Sequence, residues 1–105
     1  MKQLSSWPAP RADRHATAML QDVPGCRLVA FTLAAGQVVP VHTSGSTVIV
    51  TVLDGNGVFS GAHGEVDLRA GESAGYEPNE PHGMTAGDAG LRFLAIITPS
   101  PSSAG

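Results

Sequence analysis

The sequence predicts an all-β domain, and three observations carry that prediction. Thirteen Gly and eight Pro occupy 21 of 105 positions, well above the usual combined share of ~12%. With 42% apolar residues, that composition describes a turn-rich folded chain, not a helical or disordered one. The turn signals also recur at short intervals: Pro24-Gly25, Ala35-Gly36, Ser44-Gly45, Asp54 to Gly57, Gly61 to Gly64, Ala70-Gly71, Pro78 to Pro81 and Gly87 to Gly90. A spacing of about 8–12 residues is the rhythm of a β-sandwich or barrel. Finally, the runs between the turns are short and rich in Val, Thr, Ile and Phe, residues that suit a pleated, half-buried surface.

Residues 1–14, with Pro8 and Pro10, read as an irregular arm; its lone Trp7 is expected to dock on the body. One domain is expected over residues 15–98, because a chain of this length supports a single core. His15 to Leu20 adds a strand at the front edge. In Cys26 to Ala34, Leu28, Ala30, Thr32 and Ala34 fall on one face and Arg27, Val29, Phe31 and Leu33 on the other. Both faces are largely apolar, which predicts a strand covered on both sides.

Thr47 to Leu53 places Val48, Val50 and Val52 on one face, expected to line the interior, and Ile49 and Leu53 on the other, expected to meet a second sheet or subunit. Asp54 to Gly57 supplies residues that tolerate positive φ and predicts a tight hairpin. Val58 to Ser60, Glu65 to Arg69, Glu72 to Tyr76, His82 to Ala86 and Leu91 to Thr98 complete the strands. Residues 99–105 read as a solvated, flexible tail.

Composition excludes several functions. Six Lys and Arg against nine Asp and Glu give a net charge of -3, so no electrostatic footprint for nucleic acid exists. Lys2 is the sole lysine, which removes Schiff-base chemistry and a phosphate-loop lysine from the folded body. The single Cys26 cannot form an intramolecular disulfide; a buried, inert thiol and a reducing, cytoplasmic location are expected. No export signal is read in the first thirty residues. The apolar runs fall far short of the roughly 20 residues of a membrane helix, so a soluble protein with no membrane partner is expected.

Gly36, five residues, His42, one residue, Ser44, three residues, Val48, six residues and Gly55 form a spacing that resembles the first motif of the cupin superfamily. Gly71, a five-residue gap, Glu77, Pro78, Asn79 and then His82 resemble its second, shorter motif. The resemblance runs from about Arg27 to Thr98. It implies a small jelly-roll β-barrel of the RmlC-like type, an architecture that leaves few exposed sheet edges.

Metal-binding cupins place two His and a Glu in the first motif and one His in the second. His42 and His82 stand at two of those four positions, while Ser44 replaces a His and Val48 replaces the Glu. The resemblance therefore implies an interior lined by His42, Ser44, Val48, Val50, His82 and Met84, with Tyr76 at its mouth. A divalent metal such as Zn, Fe, Mn or Ni on His42 and His82 would need a third donor, for which Glu80 and Tyr76 are the candidates.

The alternative for His42 is a strand-end histidine bonded to backbone, and the same alternative holds for His82. His63, in a turn, and His15, near the arm, are expected to be solvent-exposed. The main expectation is a cupin that binds a small molecule in its barrel. A metal-dependent oxygenase or isomerase with a reduced ligand set, and a non-catalytic dimeric sensor, are the alternatives. A homodimer is expected from strands apolar on both faces and from the resemblance.

Overall fold

The computed structural model of the protein describes residues 1–103. Seven strands follow one another: β1 (Ala16–Val23), β2 (Cys26–Leu33), β3 (Val38–His42), β4 (Thr47–Gly61), β5 (Gly64–Arg69), β6 (Ser73–Tyr76) and β7 (His82–Thr98). A single 3-10 turn, Pro101–Ser103, ends the described chain. The all-β prediction is borne out, and among the described residues no helix is long and apolar enough to cross a membrane.

β4 and β7 organise the molecule. The first half of β4 pairs antiparallel with the second half of β7, from Thr47 opposite Thr98 to Gly55 opposite Leu91; its second half, Gly57 to Ser60, pairs with Ala86 to Gly83. β2 pairs with β7 and carries β1 on its other side, while β6 pairs with the first half of β4. β3 pairs with the first half of β7 and β5 with the second half of β4. The two long strands thus belong to both layers of a jelly-roll sandwich. Their hydrogen-bonded path, β1-β2-β7-β4-β5, ends in edge strands and does not close into a complete cylinder.

The expected hairpin at Asp54 to Gly57 is not formed, and this corrects the strand list. The register slips between Val52 and Asp54 and again between Gly55 and Gly57, so the segment is a bulged corner inside one continuous strand. Gly87 to Gly90, read as a turn, lies likewise inside β7. The corner requires glycine. Gly55 has φ +72, and a Cβ there would stand 2.0 Å from the carbonyl oxygen of Gly90, itself at φ +78. β3 was not among the expected strands, because Pro40 breaks its short apolar run and removes a ladder donor.

The core sits between the layers. Phe59, Phe93, Leu33, Val50 and Val52 are its largest fully buried apolar side chains. Phe93 stacks on Phe31 with ring centroids 4.5 Å apart and meets Phe59 edge-on at 5.3 Å. Each such side chain contributes about 2 kcal/mol of transfer free energy. Val48, Val50 and Val52 alternate inward as expected, whereas Ile49 and Leu53 on the outer face remain 38% and 47% exposed. β2 is covered on both faces near its end: Ala30 and Thr32 are buried on one side and Leu33 on the other.

The two ends of the chain are tied down. Gln37 accepts from the amide of Ala34 and donates from its own amide to the carbonyl of Arg11, holding the end of the arm to the turn before β3. Trp7 is half-buried. The tail expectation is corrected for its described part. Ser100 is buried, its hydroxyl donates to the carboxylate of Asp22, and its amide donates to the carbonyl of Pro24. Ser102 and Arg27 donate to the same carboxylate at 2.9 and 3.2 Å, and Ser46 donates to the carbonyl of Pro99 at 2.7 Å. The Thr98-Pro99 peptide within this clasp is cis. Residues 104 and 105 of the expected tail lie outside the described residues.

Candidate functional site

His42 ends β3 and His82 begins β7, and the two are register partners in that antiparallel pair. The pairing overrides their separation of forty positions in sequence: the rings meet edge-on with centroids 4.1 Å apart. His82 is 3% exposed, whereas His42 stands exposed at the rim. The Nδ1 of His42 lies 2.9 Å from the carbonyl oxygen of Pro40, and the Nδ1 of His82 lies 2.9 Å from that of Glu80. Each ring therefore bonds the backbone two residues before it. Both readings of these histidines from sequence describe part of the arrangement, since strand-end backbone bonding orients two imidazoles that share one cavity.

That cavity, of about 60 Å³, is lined by His42, His82, Ser44, Val48, Val50 and Met84. Phe31, Val39, Phe93, Ala95 and Ile97 complete its wall. The alternation of Cys26 to Ala34 puts Phe31 on one of two apolar faces and leaves the inward one undecided, whereas Phe93 and Ala95 lie in a strand whose faces the sequence does not distinguish. Val39 was missed together with β3.

Tyr76 is placed differently. Its ring stacks on His82 with centroids 4.8 Å apart, and it lines a separate groove with His63 and Glu80 instead of the His42 cavity. Burial, with the nearby Glu80 charge, pushes its phenol up to about 12, so it is protonated at neutral pH. His15 also departs from expectation. It is half-buried and stacks on Phe31 at 6.1 Å, a polar-tipped ring against the back of a cavity residue. Cys26 is half-buried and His63 exposed.

Glu80 is a turn brace. One carboxylate oxygen accepts from the amide of Ala62 and the other from the amide of Glu77, both at 3.0 Å, and these bonds hold its carboxyl below the usual range. Asn79, with φ 67, donates its amide to the carbonyl of Ser44, linking this turn to the loop after β3. Burial pulls His82 below the ordinary histidine value, and the neighbouring His42 acts in the same direction. The backbone bond to Glu80 and the Glu80 charge oppose that shift.

The donor set does not fit a transition-metal centre. Three or four oriented N, O or S donors hold such an ion. Here both candidates for a third donor are committed, Glu80 to two backbone amides and Tyr76 to a protonated, stacked position. Val48 offers no donor atom, and the neutral hydroxyl of Ser44 is a weak one. Among the described residues, no group of three or more His, Cys, Asp or Glu comes together to hold a metal ion.

Comparison with known proteins agrees with this architecture. A family model described as "Cupin domain" matches residues 29–97. An RmlC-like cupin protein from Desulfovibrio desulfuricans superposes with a TM-score of 0.82 at 28% identity, covering 94% of this chain and 97% of the other. A predicted oxalate decarboxylase from Thermotoga maritima is 26% identical with a TM-score of 0.75, covering 81% and 80%. KdgF from Halomonas sp., at 15% identity, has a TM-score of 0.82 over 93% and 91% of the two chains, a likeness of fold alone. No curated protein matches the chain.

Proposed function

The chain belongs to the cupin family, and from that premise we propose that it binds a small molecule in the barrel cavity between His42 and His82. One observation carries this reading: two imidazoles, each oriented by a backbone bond, share one cavity whose other walls are almost entirely apolar. Pockets that bind small molecules combine such a lining with a few placed polar groups. A ligand retained through purification, released by denaturation and detected by mass spectrometry, is expected from the native chain and not from His82→Ala. A cavity that retains nothing, and whose histidine resonances respond to no small molecule, overturns the reading.

The likeness to the predicted oxalate decarboxylase favours a second reading, a metal-dependent enzyme. With only His42 and His82 as ligands, a divalent metal would take most of its coordination shell from water. Elemental analysis separates the two: stoichiometric metal lost in both His42→Ala and His82→Ala supports the enzyme, and its absence supports the binding protein.

A homodimer belongs to the same proposal. Leu28, Ile96 and Ile49 are register neighbours across β2, β7 and β4, and they form an apolar row on the outward face. Burying such a row against a second copy is favourable at about 25 cal/mol per Å². Light scattering is expected to report a dimer that Ile49→Asp dissociates; a native monomer at micromolar concentration removes this part of the proposal.

A further inference from the structure

The hydrogen bonds at the two histidines decide which ligand chemistry the cavity accepts, granted the reading above that this cavity is the ligand site. The partners of Nδ1 are carbonyl oxygens, of Pro40 for His42 and of Glu80 for His82. A carbonyl oxygen can only accept, so Nδ1 carries the proton in both rings. A neutral imidazole has one N–H, which leaves Nε2 of each ring with a bare lone pair. Among the described residues neither Nε2 has a hydrogen-bond partner from the chain.

The rest of the lining offers little else. No Lys or Arg is in the wall, and the hydroxyl of Ser44 is its one side-chain donor besides the rings. A carboxylate or phosphate would bring lone pairs to lone pairs in a largely apolar cavity, with no fixed cation to neutralise it. Charging both rings to receive it would set two imidazolium ions with centroids 4.1 Å apart against each other. A cavity of about 60 Å³ is small beside the roughly 300–1,000 Å³ of pockets that take drug-sized ligands. The bound group is therefore compact, either a small molecule or the end of a larger one.

We propose that the His42–His82 cavity takes the hydroxyl- or N–H-bearing end of a compact neutral molecule and discriminates against acceptor-only and anionic isosteres. The ligand donates to one or both Nε2 atoms, and its apolar body packs on Val48, Val50 and Met84. Selection works by the mismatch it imposes: an isostere without a donor leaves the Nε2 lone pairs facing it without a partner and gains nothing for its own lost hydration.

The test uses the full chain at pH 8 with 2-propanol, acetone and acetate, three molecules of similar size that differ in donor and charge. Long-range proton–nitrogen spectra first read the tautomer directly. Both rings are expected to show protonated Nδ1 and bare Nε2; the opposite tautomer in His82 overturns the inference. In titrations, 2-propanol is expected to shift both Nε2 resonances and to bind at least about tenfold more tightly than acetone or acetate, the effect of one hydrogen bond. Ser44→Ala is expected to keep that preference and His42→Ala to reduce it. Acetate or acetone binding as well as 2-propanol overturns the inference while leaving a ligand cavity in place. If none of the three perturbs either histidine, the proposed function itself falls with it.

Discussion

Gly55 and Gly90 approach so closely, at the corner where β4 and β7 pass from one layer to the other, that a single methyl group on Gly55 would overlap the carbonyl of Gly90. This contact sets the bend that brings the start of β7, and with it His82, over β3 and His42. The site depends on a corner that lies outside it.

Gly55→Ala is expected to destabilise the protein by about 3 kcal/mol, the sum of a left-handed backbone cost and a steric clash. Gly71→Ala supplies the control. Gly71 also has positive φ, +90, but nothing lies within 4 Å of a Cβ there, so only the backbone cost of about 1–2 kcal/mol applies. Urea denaturation of both variants checks the difference, and equal losses would remove the steric role assigned to the corner.

Ser44→His combined with Val48→Glu is expected to convert the cavity into a tight divalent-metal site. Both positions line the same cavity as His42 and His82, and the double change supplies the missing imidazole and carboxylate. Calorimetric titration with Zn²⁺ or Ni²⁺ is expected to show at least about 100-fold tighter binding than the native chain. No gain would mean that positions 44 and 48 do not converge on the histidines.

Stability is expected to fall as pH drops below the ordinary histidine range. Burial depresses His82 in the folded state below its unfolded value of 6.5, so the unfolded chain binds the extra proton first. The stabilisation is complete above pH 6.5 and is lost as pH falls through the folded-state value. Thermal melts from pH 7.5 to 5 are expected to show a declining Tm, with a shallower decline in His82→Gln. An identical slope in the variant would assign the pH dependence elsewhere.

The clasp at the C-terminus titrates lower. Hydrogen bonds from Ser100, Arg27 and Ser102 hold the Asp22 carboxyl down to about 2, from an ordinary value of 3.8. Its contribution is present above pH 3.8 and disappears as pH falls through about 2. Asp22→Asn is expected to release the segment at neutral pH, read as faster amide exchange at Ser100 and Ser102 with little change in the core. Unchanged exchange would show that the Ser46 and Pro24 contacts hold the segment without Asp22.

Much of the fold was legible because alternation is a local signal: Val48, Val50 and Val52 lie on one face whatever the rest of the chain does. The ends of the long strands were not. Asp54-Gly55-Asn56-Gly57 has the composition of a hairpin, and the same residues serve a bulged corner; which one forms depends on a carbonyl thirty-five positions away, at Gly90. The histidine pair was legible through motif spacing, whereas the role of Glu80 was not, since a carboxylate near a histidine reads as a ligand until its two backbone amides are seen. Ser100 lies in a stretch whose composition signals solvent, and its burial follows from partners distant in sequence, Asp22 and Pro24 among them.

The sharing of β4 and β7 between both layers has a consequence for how the protein comes apart. In a sandwich whose strands are confined to one layer, either layer can fray while the other persists. Here the same two backbones run through both, so opening one layer pulls on the ladder of the other across the glycine corner. The molecule is thereby expected to unfold as a single cooperative unit, with the slowest-exchanging amides of both layers opening together at one common free energy.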